Sequence, residues 1–250
     1  LLISIIFLAT NARELKSLSG KQWGYLSLIG LIGGSIPFLL FFKGLSMGTG
    51  AAGAFMHKTM IVWVTLGALL FLKERVNWQV IAGAAALLLG NLLLLRLTGI
   101  PLSAGLLFTF LAAILWSAEI LLSKHVLKDV SGSTVAFGRM GIGAGIILAF
   151  LMVSGNLTAV LTWNAAAWGW VLLTSAFLLG YVWTFYNGLK RVRASTAVAV
   201  LSLGGVITSA LQLAFLDKSF TPGQVAGLML LVAGTGIFWQ MQRVSAQATS

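Results

Sequence analysis

The sequence predicts an all-α, polytopic transmembrane helical bundle. Three observations lead there. The chain of 250 residues is 59% hydrophobic and 8% charged, with a mean hydropathy of +1.00, well above what a water-soluble globular domain tolerates. Predominantly apolar stretches of about 20 residues, the length a spanning helix needs, recur between short breaks that carry charge, Gly or Pro. Within them, runs such as AAALLLGNLLLL (84–95) show no alternation, which excludes the strand pattern of a membrane β-barrel.

Taken in order, LLISIIFLAT (1–10) is too short to span and has no basic start, so it reads as the end of a helix and not as a signal peptide. Eight complete spans are expected at roughly 24–44, 50–72, 77–96, 103–124, 133–154, 168–190, 194–217 and 222–242. The Gly-rich GLSMGTGAAG (44–53) turns the chain between the first two.

Composition also excludes. There is no cysteine, hence no disulfide, thiolate metal site or cysteine nucleophile. Two histidines and five acids leave almost no ligands for zinc. No P-loop, HExxH or convincing Ser/His/Asp set is present, so neither catalysis nor a cofactor or metal is expected. The net charge of +11 is scattered through the breaks between apolar runs, which fits membrane topology and not nucleic acid. The expected partners are the lipid bilayer and a small-molecule substrate. The GxxxG of Gly223 and Gly227 offers a packing or homodimer face.

If the break at 11–22 faces the cytoplasm, alternation of the spans places Arg13, Lys16, Lys21, Lys73, Arg75, Lys124, Lys128, Lys190, Arg191, Arg193 and Arg243 inside. Only Lys43, Arg96 and Lys218 then fall outside. The expectation is a multi-pass protein of the cell membrane, a bacterial inner membrane, with a cytoplasmic C-terminus. Lys58 and Arg139 remain within spans.

Laying residue 185 on residue 41, a shift of 144 positions, superposes FYNGL (185–189) on FFKGL (41–45). The same shift brings together Ala226-Gly227 with Ala82-Gly83, and Gly234 with Gly90. The alternation that fixed the charges puts Lys73 and Arg75 inside while Asp217 and Lys218 lie outside, so the two repeats have inverted topology. Residues 1–96 form a partial first repeat short of about one and a half helices, 97–102 a linker, 103–243 a complete second repeat and 244–250 a cytoplasmic tail. Inverted repeats are a transporter architecture, with the site near the midplane.

The aromatic-aromatic-x-Gly-Leu helix end, the small-residue helix closing in FLKERV (71–76) and the following VIAGAAALLLG (80–90) resemble the EamA-type members of the drug/metabolite transporter superfamily. That resemblance covers essentially the whole chain. It implies ten helices in two inverted five-helix halves, cytoplasmic termini, and substrates such as amino acids, nucleotide sugars, sugar phosphates or amphipathic drugs. Against ten helices, the first half here lacks its N-terminal portion. Glu74 matches the family's acid at the end of the fourth helix, whereas the second repeat has Lys218 there.

Lys58 lies mid-span, roughly 12 Å from the outer end of its helix at 1.5 Å per residue. It shares a face with Ala51, Ala54 and Thr65. A buried lysine at that depth needs a partner or a wet cavity, which makes it a candidate contact for an anionic substrate; pairing with backbone carbonyls or a buried acid is the structural alternative. His57 reads as a histidine bonded between helices. Glu119, on a face with Ala112, Trp116 and Ser123, is matched in depth by Arg139 on the next helix, so a structural ion pair is expected. Two further stripes, Thr174, Phe177, Tyr181, Thr184 and Gly188, and Ser195, Ser202, Ser209 and Gln212, either pack helices closely or wall a cavity. The candidate substrate-binding set is Lys58, Thr65, Trp116, Glu119, Tyr181, Thr184 and Ser202. The expected function is secondary transport of a small metabolite, an amino acid or other organic anion, by alternating access. The alternatives are a channel, a non-transporting scaffold, or an inactive fragment of a transporter.

Overall fold

The computed structural model describes residues 2–74, 77–96, 103–215 and 219–247. Among them there is no strand; the chain runs α1 (Leu2–Ser17), α2 (Gly20–Gly34), α3 (Ile36–Ser46), α4 (Gly50–Lys58), α5 (Met60–Leu72), α6 (Trp78–Leu94), α7 (Ala104–Val126) and α8 (Gly132–Phe137). A π-helical turn (Gly138–Ile142) follows, then α9 (Gly143–Val153), α10 (Leu157–Leu161), α11 (Ala165–Arg191), α12 (Ala194–Leu201), α13 (Leu203–Phe215) and α14 (Pro222–Gln247).

Several of these join end to end into longer rods. Seven rods are long and apolar enough to cross a membrane: Gly20–Ser46, Gly50–Leu72, Ala104–Val126, Gly132–Val153, Ala165–Arg191, Ala194–Phe215 and Pro222–Val244. Trp78–Leu94 is apolar but shorter. Each lies within a few residues of a span expected from hydropathy. At the N-terminus the helix continues past the apolar run, through a kink at Asn11, to Ser17. The short α10 is an addition. Large apolar side chains such as Leu70, Phe71, Ile81, Phe177 and Phe215 stand exposed on the outer faces, a pattern suited to hydrocarbon as solvent.

The chain divides into two compact units. Unit 1 comprises Leu1–Phe38 and Leu122–Arg191; unit 2 comprises Leu39–Leu121 and Val192–Ser250.

In unit 1 the tightest packing joins α2 to the π-helical turn. Gly30 and Gly34 on one side and Gly138 and Gly143 on the other bring the backbones together, and no Cβ fits at Gly34 against the Arg139 carbonyl. Without a water-driven force between helices in lipid, such close contact supplies much of the association. The rod breaks at Ser35 (φ −136°), just before Pro37, which has no N–H to continue the ladder. The Ser35 hydroxyl donates to the carbonyls of Gly30 and Leu31 at 3.0 Å, satisfying acceptors in the broken turn.

In unit 2 the principal contact is α6 against α14. The two helices run antiparallel, with Gly90 facing the Gly227 carbonyl and Gly234 facing the Gly83 carbonyl. The pairing is thus through glycines seven apart; Gly223, the other member of the GxxxG, has open space around it. α5 lies along α12, and α12 along α14, where the Thr235 hydroxyl reaches the Ala199 carbonyl at 3.2 Å.

Candidate functional site

Two spans of unit 2 tighten near their middles while keeping right-handed helical dihedrals, at Thr59 (φ −65°, ψ −12°) and Ser202 (φ −67°, ψ −23°). Between α4 and α5, Thr59 tightens the helix into a turn. Its N–H is shared between the carbonyls of Phe55 and Met56, and Val62 N–H returns to Thr59 O at 2.9 Å. The Thr59 hydroxyl donates to Met56 O at 2.7 Å and accepts from Trp63 Nε1 at 3.2 Å. Such back-bonding bends helices. Between α12 and α13 the same kind of turn occurs at Ser202, whose N–H bonds Ala199 O and whose carbonyl accepts from Gly205 N–H. Ser202 is the residue that a shift of 144 positions lays on Lys58.

Lys58 is the last residue of α4, half-buried, in a span that has no other charged side chain before Lys73. Among the described residues, no hydrogen bond or ion pair reaches its ammonium group.

Beside it stands an aromatic cluster that sequence reasoning did not assemble. The His57 ring lies 5.1 Å from Trp116 and 6.0 Å from Phe41, and Phe41 lies 5.4 Å from Trp116, all in tilted or edge-on geometry. Each such pair is worth about 0.5–1.5 kcal/mol. Trp116 is buried, as are Ala112, Glu119 and Ser123 of its helical face. Phe41 belongs to the repeated FFKGL end, but only the folded chain brings it to His57. Thr65 is 7% exposed and its hydroxyl has no partner among the described residues.

The two polar stripes separate cleanly. Ser195, Ser202 and Ser209 are all buried. Thr174 and Thr184 are exposed and return their hydroxyls to their own helix, at Trp170 O and Gly180 O. Tyr181 stacks on Phe185 at 5.6 Å. Lys58, Thr65, Trp116, Glu119 and Ser202 therefore belong to unit 2, and Tyr181 and Thr184 to unit 1. The ion pair expected between Glu119 and Arg139 would join residues of different units. Within unit 1 the buried Arg139 sits in the π-helical turn and donates from Nη1 to the Tyr186 hydroxyl at 3.2 Å. Asp217, Lys218 and the 97–102 linker lie outside the described residues. No group of three or more His, Cys, Asp or Glu is placed to hold a metal among the described residues.

The model of one family, the EamA-like transporters, matches residues 1–96 and again residues 103–240. The chain belongs to the EamA-like transporter family. An uncharacterized transporter of Clostridium kluyveri is 24% identical over 247 residues, covering 93% of this chain and 78% of its own length. A second uncharacterized transporter, from the cobO 3′ region of a Sinorhizobium species, is 36% identical over 93 residues, covering 37% of this chain and 65% of its own length. In fold, a crystal structure that is 18% identical superposes with a TM-score of 0.77, covering 96% of this chain and 84% of that one. This EamA-like chain is a multi-pass membrane transporter of small molecules, and the names of its family and relatives point away from an enzyme.

Proposed function

We propose that the chain is a secondary transporter that carries a small organic anion, an amino acid foremost, by alternating access across the cell membrane. Lys58 carries the reading: a mid-span cation at a tightened turn, without a hydrogen bond or ion pair among the described residues. Discontinuous helices near the midplane are where transporters of repeated architecture hold their substrates, and the tightened turns at Thr59 and Ser202 are the local departures from regular helix in these two spans. Phe41, His57 and Trp116 form an aromatic cluster in the same unit, and His57 is the chain neighbour of Lys58. Ser202 and Thr65 add hydroxyls in the same unit.

Three features support two halves of inverted topology. The family matches the chain twice. The irregular turns at Thr59 and Ser202 fall within one residue of each other under the shift of 144 positions. In α6 and α14, the pairs Gly83–Gly234 and Gly90–Gly227 exchange under that shift, as a twofold axis requires of antiparallel helices.

A thermal-unfolding screen in detergent tests the reading. Wild type and Lys58→Met are compared against amino acids, nucleotide sugars, sugar phosphates and cationic drugs. A ligand at a hundred times its dissociation constant stabilises by about 2.7 kcal/mol. Stabilisation by an organic anion that is lost in Lys58→Met is expected. Equal stabilisation of both proteins, or stabilisation by cations alone, would sink the reading.

A further inference from the structure

Two carboxylates at helix ends make the same unusual contact. Glu14, near the end of α1, receives the Ser131 N–H at 2.7 Å on one oxygen; the Ser131 hydroxyl at 2.5 Å and the Thr134 hydroxyl at 2.7 Å bond the other. Ser131 is the N-cap of the rod that begins at Gly132. Glu74, just beyond α5, receives the Ala194 N–H at 2.7 Å on one oxygen and the Ser195 hydroxyl at 2.6 Å on the other. Ala194 is the first residue of α12. In both cases an acid at the end of one helix reaches the start of another more than a hundred residues away. It bonds one backbone N–H and at least one hydroxyl there. Anionic oxygens at a helix N-terminus meet unsatisfied N–H groups and the positive end of the dipole, so these are strong contacts.

The two contacts belong to different units and each lies within one. Two spans separate Glu14 from Glu74, two more rods separate Glu74 from Gly132, and two separate Gly132 from Ala194. The alternation read from the sequence, which counts residues 77–96 as a span, assigns all four ends to the cytoplasmic side. In unit 2 the contact also falls where the two spans with tightened turns converge. α5 lies along α12, whose residues from Ala194 to Ala199 are buried, whereas α13, beyond Ser202, exposes Ile207, Leu211, Leu213 and Phe215.

We propose that Glu14 and Glu74 are a pair of cytoplasmic latches. Seated on the Ser131 and Ala194 helix starts, they hold those ends against α1 and α5, and their release opens the interior to the cytoplasm. The proposal rests on the alternating-access reading. It adds named residues that hold one end of the transporter shut.

The absence of native cysteine allows a direct test that needs no substrate. Single reporters are placed at Ala197→Cys in α12 and at Ala54→Cys in α4. Their modification by a membrane-impermeant maleimide is timed in vesicles of either orientation. In a Glu14→Ala/Glu74→Ala background, cytoplasmic labelling at position 197 is expected to accelerate about tenfold or more, the scale set by losing charge-assisted hydrogen bonds. Labelling at position 54 from the opposite side should slow. Thr134→Val with Ser195→Ala leaves both acids in place, removes one hydroxyl from each latch, and should move the reporters the same way by less. It serves if the double-acid variant does not fold. Unchanged labelling at both positions in a folded variant overturns the latches and leaves the transport reading standing. Acceleration at 197 without slowing at 54 keeps the latches as closures but overturns alternating access.

Discussion

Gly90 and Gly227 face each other so closely that a Cβ on either would stand 2.7–2.8 Å from the other's carbonyl oxygen. The contact is backbone to backbone, and neither carbonyl can rotate away without breaking its own helix. Gly90→Ala is therefore expected to destabilise the protein by about 1–3 kcal/mol through overpacking. Gly24→Ala in α2, where nothing lies within 4 Å, should be neutral or stabilising by up to about 1 kcal/mol, because alanine is the better helix former. Thermal unfolding of the two variants in the same detergent gives the comparison. Equal effects would mean that α6 and α14 are not packed as closely as described.

Lys124 illustrates a second role for the cations that the charge asymmetry gathers on one side. Its ammonium donates to the carbonyls of Leu189 at 2.7 Å and Lys190 at 3.2 Å, the terminal acceptors of α11. Lys190 in turn donates to Val130 O at 2.9 Å. Lys124 thus places a cation at the negative end of α11, while Lys190 reaches the carbonyl just before the Ser131 N-cap. Lys124→Met should cost about 1.5–3 kcal/mol. Lys128→Met, an exposed position on the same side, should change stability by about 0.5 kcal/mol or less. Each substitution removes one positive charge, so any effect of charge on topology is shared. The difference in unfolding temperature isolates the capping bonds; no difference would reduce Lys124 to a topological signal.

The spans were legible in the sequence because membrane insertion is decided by composition over about 20 residues, and composition is local. The end of the second span at Leu72 and the start of the seventh at Ala194 were read to the residue. The tightened turns at Thr59 and Ser202 were not, since the apolar run continues through both and only a hydroxyl and a few hydrogen bonds mark the turn. The π-helical turn around Arg139 is equally silent in hydropathy. Patterns alone also failed to tell the stripes apart. The serines of the one and the threonines of the other have the same periodicity, yet Ser195, Ser202 and Ser209 are buried while Thr174 and Thr184 are exposed. Burial depends on which helix lies opposite. Glu74 was singled out by its motif, but its partner Ala194 is 120 positions away, and Glu14 shares no motif with it.

Glu14 gives the last prediction, a dependence on pH. Burial alone would raise the pKa of its carboxyl group, but the bonds from the side chains of Ser131 and Thr134, the Ser131 N–H and the nearby Lys190 outweigh it, and the net effect lowers the pKa from its ordinary value. A carboxyl whose folded pKa is depressed binds its proton more weakly in the folded state than in the unfolded state. Its contribution to stability is thus fully present above pH 4.5 and is lost as the pH falls through the folded value. Glu14→Gln keeps the size of the side chain and one acceptor oxygen but cannot titrate. The stability of wild type minus that of Glu14→Gln should be constant from pH 7 to about pH 5 and should shrink below pH 4.5. The other four acids, Glu74, Glu119, Asp129 and Asp217, are common to both proteins and cancel in the difference. Unfolding temperatures measured in steps from pH 7 to pH 3.5 provide the curve. A difference that stays flat throughout would show that the Ser131 and Thr134 bonds do not depend on the charge of Glu14.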